Sequence, residues 1–329
     1  VPNRGHATLT LGSTTSAQEW DALVADNGGC FFQRYRWLTT MADVLGLDFH
    51  GLTVSVADRP VGVAPMLVKR LGPARTMNWL PFPYVGPLVP ADVLPELLPR
   101  LRAWERRNRG VRSQHVLMST VDQVLCYTPQ RDRTFVVDLR DQDEDSLLRR
   151  VEPKRRAKIR RAMTHGVVVR PATEDEIQDL LPAWSRHTFA GQGLPAPYPA
   201  AGYAAVWQGF RTSPDARFST ASVDNEPVCA QISFAGAPRA VAWVMANAGT
   251  AAASLAQPLL YWDTITWALH QGCAEFDLVG APTDGVARYK RDWGAREEHY
   301  SVLRRQSRIH RLLSAAARGQ HQAPEREKC

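Results

Sequence analysis

Two stretches of the chain, DRPVGVAPML at 58–67 and NEPVCAQISF at 225–234, repeat one pattern: a polar turn, then Pro-Val, then a mostly apolar alternation. Each reads as a hairpin turn entering a strand. The order then repeats downstream. ADVLPELLPRLRAWERRNRG predicts a helix closing at Gly110, followed by the strand SQHVLMST. AQPLLYWDTITWALHQG predicts a helix with Pro258 early and Gly272 as its C-cap, followed by the strand CAEFDLVG. A hairpin, a helix and a strand, occurring twice, predict two similar α/β units rather than one large sheet. The chain has 329 residues, enough for each unit to bury its own core.

Between the halves, RTFVVDLRDQDEDSLLRRVEPKRRAKIRRAMTHGVVVRP supplies a strand, an acidic helix start, a basic helix and another strand. Acidic residues suit the positive end of a helix, and basic ones its negative end. Pro153 breaks or restarts the helix, so that 154–161 fall in its first turns. The expected boundary lies near residue 133. Residues 1–133 form the first unit, completed by about 300–318, and residues 134–299 form the second. REEHYSVLRR returns as a strand, and 319–329 is read as a disordered tail.

Several classes of chemistry are disfavoured. No window approaches the roughly 18 consecutive apolar residues that span a bilayer, and the first residues lack the pattern of a signal peptide. The five cysteines (Cys30, Cys126, Cys229, Cys273, Cys329) are far apart and never form Cys-x-x-Cys. That spacing argues against a disulfide framework or structural zinc and agrees with a cytoplasmic location. The nine histidines avoid metal-ligand spacing. Neither a Gly-x-Ser-x-Gly elbow nor a phosphate-binding Gly-x-x-x-x-Gly-Lys loop is present.

Net charge is +7, and much of it is local. KRRAKIRR at 154–161 carries six positive charges in eight positions, and RRQSRIHR at 304–311 adds four arginines and a histidine. Such clusters point to an anionic partner, or else to a solvated helix face. In FDLVGAPTDGVARYKRDWG at 276–294, an apolar run stops at a Pro/Gly-containing loop before Tyr289, Lys290 and Trp293. A lysine just past a strand end can face a convergent site or merely bulk solvent.

Three stretches give this sequence a likeness. They are FFQRYRWLTTM, with Gln33 and Trp37 spaced as Gln-x-x-x-Trp; LPFPYVGPLV at 80–89; and the span from KRRAKIRRAMTHGVVV through LLYWDTITWALHQGCAEFDLVG to YKRDWGA. Together they resemble the Fem-like branch of the GNAT acyltransferase superfamily, whose members carry two tandem GNAT domains. The resemblance implies an α/β fold with mixed sheets in two acyl-CoA N-acyltransferase-like domains. It also implies transfer of an aminoacyl group from aminoacyl-tRNA to an amine, with no other cofactor. In that family the aromatic–Lys pair before x-x-Trp-Gly lies at the reaction centre, which here corresponds to Tyr289 and Lys290.

On this reading Lys290 steadies the tetrahedral oxyanion or holds the terminal phosphate of the tRNA, and Tyr289 stacks on the terminal adenine. Asp277 accepts or orients the amine proton, with Asp284 second; each is otherwise a loop-capping carboxylate. His187 and His299 are further bases by their ordinary pKa. Lys154, Arg155, Arg156, Lys158 and Arg161 are assigned to phosphates of the acceptor stem, with Ile159 and Ala162 turned to the core. Trp37, Tyr84, Tyr203, Trp243 and Trp293 are cleft candidates, each equally able to be core.

The cell-wall members of the family carry a lysine four residues after the Trp of Gln-x-x-x-Trp and an aspartate three residues after the Gly-Pro proline. Here those positions are Met41 and Pro90, with Asp92 two further on. The departure favours a smaller cytosolic amine, such as an antibiotic scaffold, over a peptidoglycan precursor. Two rivals stay open: an acyl-CoA-dependent N-acyltransferase and a non-catalytic RNA-binding relative. The sole match to a CoA-pyrophosphate loop, RPVGVA at 59–64, falls in a predicted hairpin strand.

Overall fold

The computed structural model describes residues 8–307 apart from 15, 80–82, 192 and 237. The expected disordered tail, the second half of the second basic cluster (308–311) and the start of the LPFPYVGPLV turn lie outside the described residues. The first six strands are β1 (Leu9–Ser13), β2 (Asp48–Val56), β3 (Arg59–Leu71), β4 (Ala74–Met77), β5 (Gly110–Leu117) and β6 (Thr128–Asp138). The next six are β7 (Val168–Pro171), β8 (Ala216–Val223), β9 (Glu226–Phe234), β10 (Arg239–Asn247), β11 (Glu275–Asp277) and β12 (Arg296–Gln306). Helices α1 (Ala17–Asp26), α2 (Tyr35–Leu45) and α3 (Leu94–Arg107) belong to the first half. The second half carries α4 (Glu144–Arg150), α5 (Pro153–Thr164), α6 (Leu181–Ala190), α7 (Ala200–Phe210), α8 (Ala251–His270) and α9 (Asp284–Arg291).

The strand order is β1-β2-β3-β4-β5-β12-β6-β11-β10-β9-β8-β7. Read from either end it gives antiparallel neighbours, then one parallel pair, then an antiparallel strand; the parallel pairs are β4–β5 and β10–β11. The internal repeat is therefore real, and the expectation corrected is that of separate sheets: the two similar units share one twelve-stranded sheet. β6 pairs with β11, β12 crosses back to pair with β5, and β6 and β12 pair with each other from Arg296↔Val136 to Arg304↔Thr128. Each half lends its last strand to the join, so the edges that would divide the sheet are satisfied.

Local signals account for most elements. The two echoing hairpins turn at Ala57-Asp58 and Asp224-Asn225, all four residues having φ between 50° and 67°. Two left-handed central residues give a type I′ turn, whose twist matches that of the strands. Pro153 opens α5 and separates it from α4. The helix α8 starts at Ala251, five residues before its expected run, because the Thr250 hydroxyl caps it by accepting from the Ala253 amide at 3.2 Å. Pro258 therefore lies inside α8, and Gln271 rather than Gly272 is its C-cap.

The largest core is shared by both halves. Trp20, Phe31, Phe32 and Trp37 from the first pack with Phe210, Phe234 and Trp243 from the second, and the Phe31 and Phe234 rings stack at 4.2 Å. Gly86 shows why a Tyr-x-Gly-Pro turn is needed beside it: a Cβ there would lie 2.1 Å from the Val116 carbonyl oxygen. That neighbour is strand backbone and cannot move aside. Gly86→Ala is expected to cost at least about 2–3 kcal/mol, read as a lower urea midpoint at unchanged slope.

Candidate active site

β10 and β11 pair only over Arg239↔Glu275 to Val241↔Asp277, after which β10 runs on to Asn247 paired with β9 but no longer with β11. The gap opens a cavity of about 690 Å³. The register between β10 and β9 skips Trp243. This bulge lets Ala242, Trp243, Val244 and Met245 all reach the cavity, where a regular strand would alternate. Tyr198 from the loop before α7 lies against Trp243 at 4.8 Å and adds to this apolar wall. The opposite wall comes from the central strands, through Gln114, Val116, Asp132, Tyr300, Val302 and Arg304.

The helix α9 forms the third wall. Thr283 caps it by accepting from the Val286 amide, and Val286, Tyr289 and Lys290 follow at helical spacing on one face, all lining the cavity. Lys290 is only 5% exposed. Its Nζ donates to the carbonyls of Leu278, Val279 (3.0 Å) and Gly280 (2.6 Å). Val279 has φ 58°, the contortion that turns consecutive carbonyls toward one point. Burial pushes the Lys290 pKa down to about 8, against the opposing pull of Asp277. All three ammonium donors are thus spent on the loop, and Lys290 reaches a reacting group through its charge.

Asp277 does not line the cavity. It is fully buried, its Oδ2 accepting from the Tyr84 hydroxyl at 2.6 Å and its Oδ1 from Thr134 at 2.5 Å and the Val279 amide at 2.7 Å. Arg239 lies 3.4 Å from Oδ2. The expected direct contact between Asp277 and the amine proton is therefore corrected: its oxygens are occupied by these donors, and Tyr84, which lines the cavity, is what joins it to that space. It shapes the loop beneath Lys290, and through Tyr84 it ties the first half to the second.

Residues 149–291 match the family model described as an acetyltransferase (GNAT) domain. No curated protein matches the sequence. Among solved structures the chain is similar to FemX, with a TM-score of 0.69 and 13% identity over 89% of this chain and 96% of that one. The fold is a Fem-like tandem GNAT fold. A tandem GNAT protein from the clavulanic acid biosynthesis pathway shares it, with a TM-score of 0.54 and 12% identity over 91% and 98% of the two chains. So does the C-terminal domain of a putative lysylphosphatidylglycerol synthetase from Agrobacterium fabrum, with a TM-score of 0.52 and 11% identity over 92% and 97%.

Within this GNAT fold the basic helix docks on the site helix. The Arg155 guanidinium lies 4.3 Å over the Tyr289 ring and donates to Asp292 Oδ2 at 2.9 Å, and Lys154 reaches the same carboxylate at 3.4 Å. One face of Tyr289 is thus covered by Arg155, and Tyr261 and Trp293 meet its ring edge-on. Burial raises the Tyr289 phenol to about 12. Arg156 bonds the Arg149 carbonyl, while Lys158, Arg160 and Arg161 are exposed. Ile159 and Ala162 are buried, as their spacing predicts.

Of the cleft candidates, Tyr84 and Trp243 line the cavity; Trp37, Tyr203 and Trp293 do not. Trp37 and Tyr203 belong to the shared core, and Trp293 stacks on Tyr261 at 5.2 Å beneath α9. The large apolar area of these rings is spent on packing. Asp284 is exposed and paired with Arg133, and neither His187 nor His299 reaches the cavity. Asp132 is the one carboxylate among the lining residues. It was missed because it lies in TPQRDRTF, a polar strand segment without a motif, and register alone brings it opposite Tyr300.

Proposed function

We propose that the protein is an acyltransferase that moves an aminoacyl group from charged tRNA to the amine of a small acceptor, forming an amide. The observation that carries this reading is the Arg155 clamp. It fastens the start of a helix bearing exposed Lys158, Arg160 and Arg161 to Asp292 and Tyr289 at the cavity wall. A phosphate-rich donor lying along α5 then has its esterified end at the opening between β10 and β11.

In the reaction the acceptor nitrogen attacks the ester carbonyl, a tetrahedral oxyanion forms, and the bond to the 3′-oxygen of the terminal adenosine breaks. The amine loses one proton and the departing oxygen gains one. An ester is already activated, so positioning supplies much of the rate. The Lys290 ammonium, kept charged by its three carbonyls, steadies the oxyanion. Asp132 attracts the ammonium form and takes the proton that frees its lone pair for attack, so that the proton lost on attack is the one the departing oxygen gains.

Met41, where cell-wall relatives carry lysine, is buried in the shared core, which supports a small amine over a nucleotide-linked precursor. RPVGVA lies in β3, so its amides pair along a strand and leave acyl-CoA without that loop. The deciding experiment supplies purified protein and an amine panel with either charged tRNA or acetyl-CoA, each with and without ribonuclease. Transfer from tRNA that ribonuclease abolishes is the expected result; ribonuclease-resistant transfer from acetyl-CoA overturns it. Reversing charge at Lys158 and Arg161 together is expected to weaken tRNA binding at least tenfold and to flatten its salt dependence by about two phosphate contacts. Filter binding across a salt series measures both.

A further inference from the structure

The end of the cavity away from α9 carries positive charge that no carboxylate pairs with among the described residues. Arg304 on β12 lines it, and its Nε and Nη1 donate to the neutral side chains of Gln114 (3.0 Å) and Gln130 (2.6 Å). Arg112 lies on the same face of β5, one pleat beyond Gln114, which pairs with Arg304 across the strands. The two arginines share the ring of Trp79: the Arg112 guanidinium lies 3.2 Å from its centroid and that of Arg304 5.6 Å. Among the described residues neither has a carboxylate within salt-bridge distance, and the buried Nε of Arg112 has no hydrogen-bond partner.

Two neighbouring guanidiniums repel unless something anionic lies between or beside them. Burial and the Arg304 charge indeed lower the Arg112 pKa. A stacked, half-buried arginine keeps its planar fork pre-organised, which is the form that reads a carboxylate or phosphate. The same wall holds Asp132, paired with Tyr300, four residues along β12 from Arg304. The wall therefore offers a negative group and a positive pair separated by about 13 Å of strand. Arg304 on β12 is three strands from β10 and Arg112 on β5 four, so the positive pair is not at the end where the donor enters.

We propose that Arg112 and Arg304, held by Trp79, form an anion subsite for the acceptor, and that the acceptor carries a carboxylate or phosphate at the end remote from its reacting amine. This deepens the aminoacyl-transfer reading and rests on it for the word acceptor, but binding tests it without turnover. Calorimetric titration of the full chain uses three probe series of graded length: ω-amino acids, the matching ω-amino amides, and aminoalkyl phosphates. The wild-type protein is expected to bind an anionic probe at least tenfold more tightly than its neutral amide, with a preferred length. The tighter of the two anionic series identifies the group.

R304Q and R112Q, checked for unchanged melting, are expected to reduce that preference to about twofold. R304K should retain part of it, and R100Q on the outer face of α3 all of it. Equal binding of the three series, no measurable binding of any, or an undiminished preference in R304Q and R112Q overturns the proposal. A protein that shows the preference yet transfers nothing keeps the subsite and loses the proposed reaction. One that transfers to neutral and anionic amines alike keeps the reaction and loses the subsite.

Discussion

Lys290→Met is expected to lower aminoacyl transfer by about two to three orders of magnitude, the range seen when a single oxyanion-stabilising group is removed. The fall should appear in turnover rather than in tRNA affinity, since the exposed cations of α5 remain. Methionine also leaves the carbonyls of Leu278, Val279 and Gly280 without their shared donor, so the loop after β11 should loosen. Single-turnover rates with saturating charged tRNA measure the first effect, and amide exchange at 278–280 the second. Loss of turnover equal to the loss of folded protein would leave Lys290 a loop anchor only.

The pH dependence separates these roles further. A pKa near 8 in the fold lies below the ordinary lysine value. The unfolded chain then binds more protons than the folded one from pH 8 to about 10.5, so this group's contribution makes stability rise with pH across that window. The cost of its buried charge is fully present below pH 8. Transfer that needs the ammonium falls over the same window. Opposite slopes for rate and stability are expected in the wild type, and neither slope from this group in Lys290→Met.

Asp277→Ala has the second large effect, on stability. It leaves Tyr84, Thr134 and the Val279 amide without their acceptor and removes one of the carboxylates facing Arg239. Breaking a buried charged network of this kind costs about 3–5 kcal/mol. For a chain of this size that lowers the melting temperature by roughly 5–10 °C. Asp277→Asn keeps the shape and should retain turnover within about tenfold once corrected for folded fraction. A proton-accepting Asp277 requires the reverse: an intact fold with turnover abolished.

The hairpins and the second-half helix and strand were legible because their signals are local. Pro-Val after a polar turn, Gly and Pro at helix ends and the break at Pro153 act over a few residues. The joined sheet was not legible, because β6 and β12 lie more than 150 residues apart and no local pattern announces a partner strand. Lys290 and Tyr289 were found through likeness to a family, and the structure brings both to the cavity. Trp37, Tyr203 and Trp293 show the limit of composition: an aromatic ring fits a ligand wall or a core equally well, and only tertiary packing divides them. Asp132 and Arg304 became neighbours of the site through strand register, which the alternation of a polar strand does not reveal.

The exchange of β6 and β12 constrains biosynthesis. A nascent chain emerging from the ribosome has β5 ready early, but the strand that covers its flank follows only after β6 to β11 have been made. The first half therefore waits with an open sheet margin through the synthesis of nearly two hundred residues, and long-range closure of this kind is slow and exposed to mispairing. Truncation before Arg296 should yield an aggregating chain rather than a smaller active one. Cutting the gene at the midpoint should fail likewise unless both fragments are produced together.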